Sequence, residues 1–255
     1  MRLDPIFISH GAPDVLITDT PARRALSALR LPASTRAVLI VSAHWEAEPV
    51  RVQMVSAPST IHDFRGFGPV LERAIYAAPG SPSLAARVLG LLREAGINAI
   101  ADRERGRDHG AWIPMALIRP SADIPVIQVS LPASDGEAIA LGRALAPLSG
   151  EDIQIIGSGS LTHSLRAALS APEGAPPHPA ALAFRDWVAP RIAKADPGGL
   201  TDWEHGPNAG FNHPTPEHFR PLLFAMAAAQ GGEAELLHQS WSRGALAMDI
   251  WRFAA

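Results

Sequence analysis

Ala37-Val38-Leu39-Ile40-Val41-Ser42-Ala43-His44-Trp45 is an apolar run that ends in a histidine and a tryptophan. It has no alternation of polar and apolar positions. That pattern predicts a strand covered on both faces, as in a parallel sheet, and not a half-exposed antiparallel one. The arrangement occurs twice more. Pro5-Ile6-Phe7-Ile8-Ser9 leads into His10-Gly11, and Ile153-Gln154-Ile155-Ile156-Gly157-Ser158 leads to Leu161-Thr162-His163. Three short apolar strands therefore each release a histidine at their carboxyl end. In an open α/β sheet ligands bind at that edge, so the three histidines predict a metal site there.

The chain has 255 residues, of which 47% are hydrophobic and 18% charged, with a formal net charge of −3. Such a chain has ample material for a core and is read as one catalytic domain spanning residues 1–255. Without a basic excess, nucleic acid and anionic membrane surfaces are not expected partners. Met1-Arg2-Leu3-Asp4-Pro5 contains no apolar targeting segment, and no stretch approaches the roughly 18 to 20 apolar residues of a membrane span. A cytoplasmic protein is the expectation. Cysteine is absent, which removes disulfides, thiolate nucleophiles and sulfur ligands together. Any metal is then held by nitrogen and oxygen, and ten histidines are available.

The remaining elements follow from periodicity and punctuation. Thr20-Pro21 opens a helix through about Leu29, Val50 to Val55 reads as a strand, and Ser56 to Pro69 as a long loop carrying Ile61-His62-Asp63-Phe64. Ser83 to Ala95 is a helix stopped by Gly96, with a short strand expected over Ile97 to Ile100. Asp108-His109-Gly110-Ala111-Trp112 enters a short helix ending near Ile118. Pro125 to Ser130 is a further buried strand, Asp135 to Leu145 a helix, and Ala171 to Pro179 a surface loop. A helix runs through Trp187 to Ala195. Thr215-Pro216-Glu217-His218 opens a helix to about Gln230, with Pro221 awkward inside it. Glu235 to Phe253 is expected to add one or two strands. Strands alternating with helices predict a three-layer α/β/α sandwich around a central, mostly parallel or mixed sheet.

Singly, each histidine has a plain structural reading. His178, His205 and His238 lie in loop or edge contexts and are read as surface residues. His109 suits either a charged surface turn or a pocket rim. Gly157-Ser158-Gly159-Ser160, before His163, reads as a flexible turn that lets backbone amides approach a ligand. In His213-Pro214-Thr215-Pro216-Glu217-His218, two imidazoles and a carboxylate surround a proline-fixed helix start. They serve either as pre-oriented ligands or as ordinary capping residues.

Taken together, Ile8-Ser9-His10-Gly11-Ala12-Pro13, Val41 to Trp45, Thr60 to Phe64, Asp108 to Trp112, Gly157 to Arg166 and Asn212 to Phe219 resemble the class III extradiol ring-cleavage dioxygenases, the LigB-like superfamily. The nearest branch is that of the DOPA 4,5-dioxygenases. The resemblance runs along essentially the whole chain. It implies an Fe(II)-dependent enzyme that opens a catechol-type aromatic diol with O₂ on an α/β/α scaffold. By motif match His10, His44 and His218 are the implied metal ligands, and His163 is the base or a fourth ligand. His109 is implied beside the substrate, with His62 and Trp45 also placed at the substrate pocket. The wider class uses two histidines and a carboxylate, whereas His218 stands at the third position here, with Glu217 next to it.

A histidine-rich site also suits zinc, so the competing expectation is a zinc-dependent hydrolase using the same histidines. A catalytically silent metal-bearing protein is the third. Arg65, Arg105 and Arg107 are candidates for contacting a carboxylate on the ring substituent.

Overall fold

The run that ends at His44 forms the longest strand of the protein, β2 (Ala37–Glu46). The structure is a computed structural model and describes residues 2–255. The other strands are β1 (Ile6–Ser9), β3 (Val50–Gln53), β4 (Ala99–Asp102), β5 (Val126–Leu131), β6 (Ile153–Gly159), β7 (Ala234–His238), β8 (Trp241–Ser242), β9 (Leu246–Ala247) and β10 (Ile250–Phe253). Eight of them form one sheet in the order β4-β3-β5-β2-β6-β1-β10-β7, and β8 pairs with β9 separately. β5, β2, β6 and β1 run parallel, while β10 is antiparallel to β1 and β3 is antiparallel to β5. The sheet is therefore mixed, with its parallel part at the centre.

Helices cover both faces. They are α1 (Pro21–Ala28), α2 (Pro69–Glu72), α3 (Pro82–Glu94), α4 (His109–Ile118), α5 (Asp135–Leu145), α6 (Leu165–Leu169), α7 (Pro179–Ile192), α8 (Ala209–Asn212) and α9 (Arg220–Ala228). Alternate residues of β2 face opposite ways: Leu39 and Val41 join one core with α3, α5, α7 and α9, while Val38 and Ile40 join another with α1 and α4. Both faces are buried, which is why the run shows no polar alternation. The α/β/α sandwich expected from the sequence is the observed architecture.

Local chemistry accounts for the helix starts. The Thr20 hydroxyl accepts from the Arg23 amide at 3.1 Å, and Asp108 accepts from the Ala111 amide at 3.2 Å. Ser134 and Glu137 form a reciprocal capping box on α5.

Four local expectations change. The strand expected at Ile97 starts two residues later, because the Ile97 amide hydrogen bonds back to the Leu92 carbonyl and closes α3 around Gly96 in the left-handed region. The helix expected from Pro216 is broken into a 3-10 turn, Pro216–His218, followed by α9, which places Pro221 in a first turn where its missing amide costs nothing. The tail contains four strands, two of them only two residues long. Gly157 and Gly159 lie within β6 and not in a flexible turn. A Cβ on either would fall on the backbone carbonyl oxygen of Pro221 or His218, so the small residues let the His218 segment lie directly on the sheet.

Candidate metal centre and substrate cleft

The site is built at the carboxyl edge of the parallel strands. His10 follows β1, and its Nδ1 lies 3.0 Å from the hydroxyl of Ser158 on β6. That hydroxyl donates to the Gly110 carbonyl at 2.5 Å, so its oxygen accepts from Nδ1–H of His10. The tautomer follows: His10 keeps its lone pair on Nε2. Where β2 carries His44, its pairing with β5 is interrupted between Val41 and Glu46. Such irregularities re-aim side chains, and His44 Nε2 stands 3.1 Å from His10 Nε2.

His218 arrives from the 3-10 turn ahead of α9. Its Nδ1 donates to Glu217 at 2.9 Å, and the same carboxylate oxygen accepts from the Thr215 hydroxyl at 3.0 Å. Its Nε2 is buried without a partner. One donor atom from each of His10, His44 and His218 lies within 4.8 Å of the others. Two facing imidazole nitrogens and an orphaned third form a donor set that fits a metal ion. Gly110 completes the cradle, because a Cβ there would lie 2.9 Å from His44 Cδ2 and 3.3 Å from His10 Cε1.

Two further imidazoles flank this trio. His163 stacks on His218 with ring centroids 3.4 Å apart. His109, the first residue of α4, lies beside His44 with ring centroids 3.9 Å apart and planes tilted by 43°. Its Nδ1 donates to Asp63 at 2.8 Å, and its backbone amide donates to the same oxygen at 3.1 Å.

Burial keeps His10, His44, His163 and His218 neutral, and neighbouring imidazoles reinforce it. His44 is lowered to about 3 and His163 to about 4, while His10 and His218 lie well below the ordinary value. Neutral imidazoles keep the lone pairs that a metal or a substrate proton requires. Asp63 titrates low: partial burial is the largest single influence and opposes ionisation, but the ring and backbone hydrogen bonds from His109, with the attraction of His109 and His44, together outweigh it.

The histidines open into a cleft of about 1010 Å³ whose walls include Phe64, Phe67, Leu165, Leu169 and Phe211. An apolar cleft with a few convergent polar groups suits a small aromatic ligand.

The structure brings His10, His44, His109, His163 and His218 together and leaves His62 and Trp45 aside. The Nε2 atom of His62 bonds the Ala74 carbonyl at 2.9 Å, and the ring lies against Phe64 and Trp112. Trp45 faces a separate depression under the Arg105 guanidinium, 4.6 Å from its ring. Arg105 also donates to the His44 carbonyl, and Arg107 is fully buried on the carbonyls of Ala78, Pro79 and Val126. Of the three arginines only Arg65 reaches the cleft, and Arg166 and Arg243 join it there. His213 packs among Phe184, Trp203 and Phe219 and bonds the Leu161 carbonyl. Asp63 and Ser158 lay inside quoted motifs, but nothing in the sequence said which histidines they orient.

The profile of the family described as the catalytic LigB subunit of aromatic ring-opening dioxygenase matches residues 8–248. A 4,5-DOPA dioxygenase extradiol from Beta vulgaris is 40% identical, covering 99% of this chain and 97% of the relative. The Escherichia coli K12 protein of the same name is 35% identical over 91% of this chain and 87% of its own length. A crystal structure of an uncharacterized Escherichia coli K12 protein superposes with a TM-score of 0.80 at 29% identity, covering 99% of this chain and 100% of that one. Family profile, relatives and fold agree with the histidine cluster at the sheet edge, and the chain belongs to the LigB family of aromatic ring-opening, extradiol dioxygenases.

Proposed function

We propose that the enzyme uses Fe(II), held by His10, His44 and His218, to open the ring of a catechol with a charged side chain, of the DOPA kind named for its relatives. The observation that carries this reading is the convergence of three neutral imidazoles, two of them locked by Ser158 and Glu217 so that Nε2 is free. Bound Fe(II) supplies the redox chemistry that lets dioxygen react with a closed-shell ring, which redox-inert Zn(II) does not.

The protein's own groups do the rest. Phe64 and Phe211 wall the cleft and exclude water from the ring. His163, neutral and stacked on His218, takes a hydroxyl proton of the substrate, a role worth about 10²- to 10⁴-fold in such sites. Arg65 and Arg166 lie along the cleft without a carboxylate partner among the described residues, and they meet a carboxylate on the side chain of the ring.

The all-histidine donor set also accepts Zn(II), so the test separates the metals. Metal-free protein is loaded anaerobically with Fe(II) or Zn(II) and given a panel of catechols and air. Oxygen uptake with a yellow ring-opened product, from the Fe(II) form alone, is expected. No uptake with any catechol, together with ester or amide hydrolysis by the Zn(II) form, overturns the reading in favour of a zinc hydrolase.

A further inference from the structure

The geometry points to Asp63 as a positioning residue that fixes the tautomer and orientation of His109, so that His109 Nε2 is presented to the substrate as a hydrogen-bond acceptor. This rests on the reading of the cleft as the catechol site.

A single carboxylate oxygen of Asp63 receives both the ring Nδ1–H of His109, at 2.8 Å, and its backbone N–H, at 3.1 Å. An ionised carboxylate only accepts, so Nδ1 carries a proton, and the neutral form of the ring then has its lone pair on Nε2. Asp63 itself is held ionised, against its partial burial, by the two hydrogen bonds from His109 together with the attraction of His109 and His44. Two contacts to one oxygen, from the ring and the backbone of the same residue, fix both the position of the carboxylate and the ring it faces. Among the described residues nothing hydrogen bonds His109 Nε2, and both His109 and Asp63 line the cleft. The ring is confined on its flanks by His44, with centroids 3.9 Å apart, and edge-on by Phe64 at 5.7 Å.

The same device recurs at the neighbouring imidazoles. Ser158 fixes Nδ1–H of His10 and Glu217 fixes that of His218. Partners of this kind cost about 10- to 100-fold in metal affinity or activity when removed. Asp63 and His109 also bring donor atoms within 4.8 Å of His44, but the Asp63 oxygen nearest His109 is already taken by the ring and backbone N–H groups of that residue, and the ring that Asp63 orients lies outside the His10, His44 and His218 trio. Its effect is therefore on substrate. Presenting an acceptor, His109 selects a ring that offers an O–H at that position, and a catechol methylated on that oxygen loses the contact.

Three measurements on Asp63→Ala and Asp63→Asn test this. Ring tautomers are read by ¹⁵N NMR of histidine-labelled, Zn(II)-loaded protein. Metal affinity is read by chelator competition, and kcat and KM are read on the Fe(II) form with a catechol and its monomethyl ethers. Asp63→Ala is expected to remove the Nδ1–H signature of His109 and lower kcat about 10- to 100-fold, with metal affinity within about threefold of the parent. Asn keeps an oxygen able to accept both bonds, so Asp63→Asn is expected to restore the signature and recover turnover to within about tenfold of the parent. An unchanged His109 spectrum in Asp63→Ala overturns the proposal, as does an Asn variant that fails to restore it. A fall in metal affinity matching the fall in kcat also overturns it, because Asp63 would then act through His44, whose Nδ1 lies 3.9 Å away. If the unaltered Fe(II) enzyme turns over no catechol, the functional reading fails, and the spectra still decide the tautomer.

Discussion

The Nε2 atoms of His10 and His44 stand 3.1 Å apart although their strands, β1 and β2, are not neighbours in the sheet. β6 runs between them and supplies Ser158, which fixes the outer nitrogen of His10. Two strand ends that flank a third therefore aim their imidazoles at one point above it. His218 comes down on the same point from the segment that Gly157 and Gly159 allow to lie on β6. The convergence of the three imidazoles is thus a property of the parallel centre of the sheet.

Removing a ligand and removing a base have different signatures. His44→Ala is expected to lose both metal and turnover. His163→Ala keeps the three-histidine trio and is expected to retain metal while losing about 10²- to 10⁴-fold in kcat. Metal content by elemental analysis beside kcat separates the two, and loss of metal in His163→Ala equal to that in His44→Ala places His163 among the ligands.

Gly110→Ala tests the cradle. Its methyl group would approach His44 Cδ2 at 2.9 Å and His10 Cε1 at 3.3 Å, and would also collide with the Ser42 hydroxyl. Overpacking of this kind costs about 1 to 3 kcal/mol. The expected outcome is a folded protein, lower in thermal midpoint, whose metal affinity has fallen at least about tenfold, as for a disturbed ligand partner. Affinity within about threefold of the parent counts against the geometry.

Acid weakens the metal-free fold through His213. Burial holds this ring at about 4, against 6.5 for an exposed histidine. As pH falls below 6.5 the unfolded chain takes up the proton and the folded chain does not, so stability present above pH 6.5 is lost down to about pH 4. The loss from this group is about 2 kcal/mol by pH 5. Asp249, raised to about 6 by burial, works in the opposite sense by taking up a proton in the folded state. Urea midpoints at pH 7 and pH 5 for the parent and for His213→Gln isolate the contribution of this ring, and the variant is expected to lose less stability on acidification.

Arg166→Ala is expected to raise KM for a carboxylate-bearing catechol about fivefold, corresponding to about 1 kcal/mol for an exposed ion pair, with kcat unchanged. Unsubstituted catechol should be unaffected. Equal changes for both substrates would exclude a carboxylate contact by this residue.

How much of this was legible depends on how locally each feature is encoded. β2 was readable because burial on both faces removes polar alternation, and His10 and His44 were readable as strand ends. Trp45, next to His44, was misplaced by proximity: successive strand residues face opposite ways, and the indole lies under Arg105 on another side of the strand end. His62 likewise shares a motif with Asp63, but its ring turns to the Ala74 carbonyl while Asp63 turns to His109. His213 and His218 looked alike in one proline-rich segment, yet the first is enclosed by aromatic rings and the second reaches the site. Pairings such as Asp63 with His109, or Ser158 with His10, join residues distant in sequence and depend on the folded sheet. The two-residue strands β8 and β9 are too short to leave a periodic signal.

The most direct measurement is oxygen consumption by the anaerobically Fe(II)-loaded enzyme on addition of DOPA and air. One O₂ consumed per ring opened, a yellow product, and no reaction in the Zn(II) form or in His44→Ala are the predicted results. An Fe(II) form that binds metal at the three histidines and consumes no oxygen with DOPA or any other catechol would contradict the account.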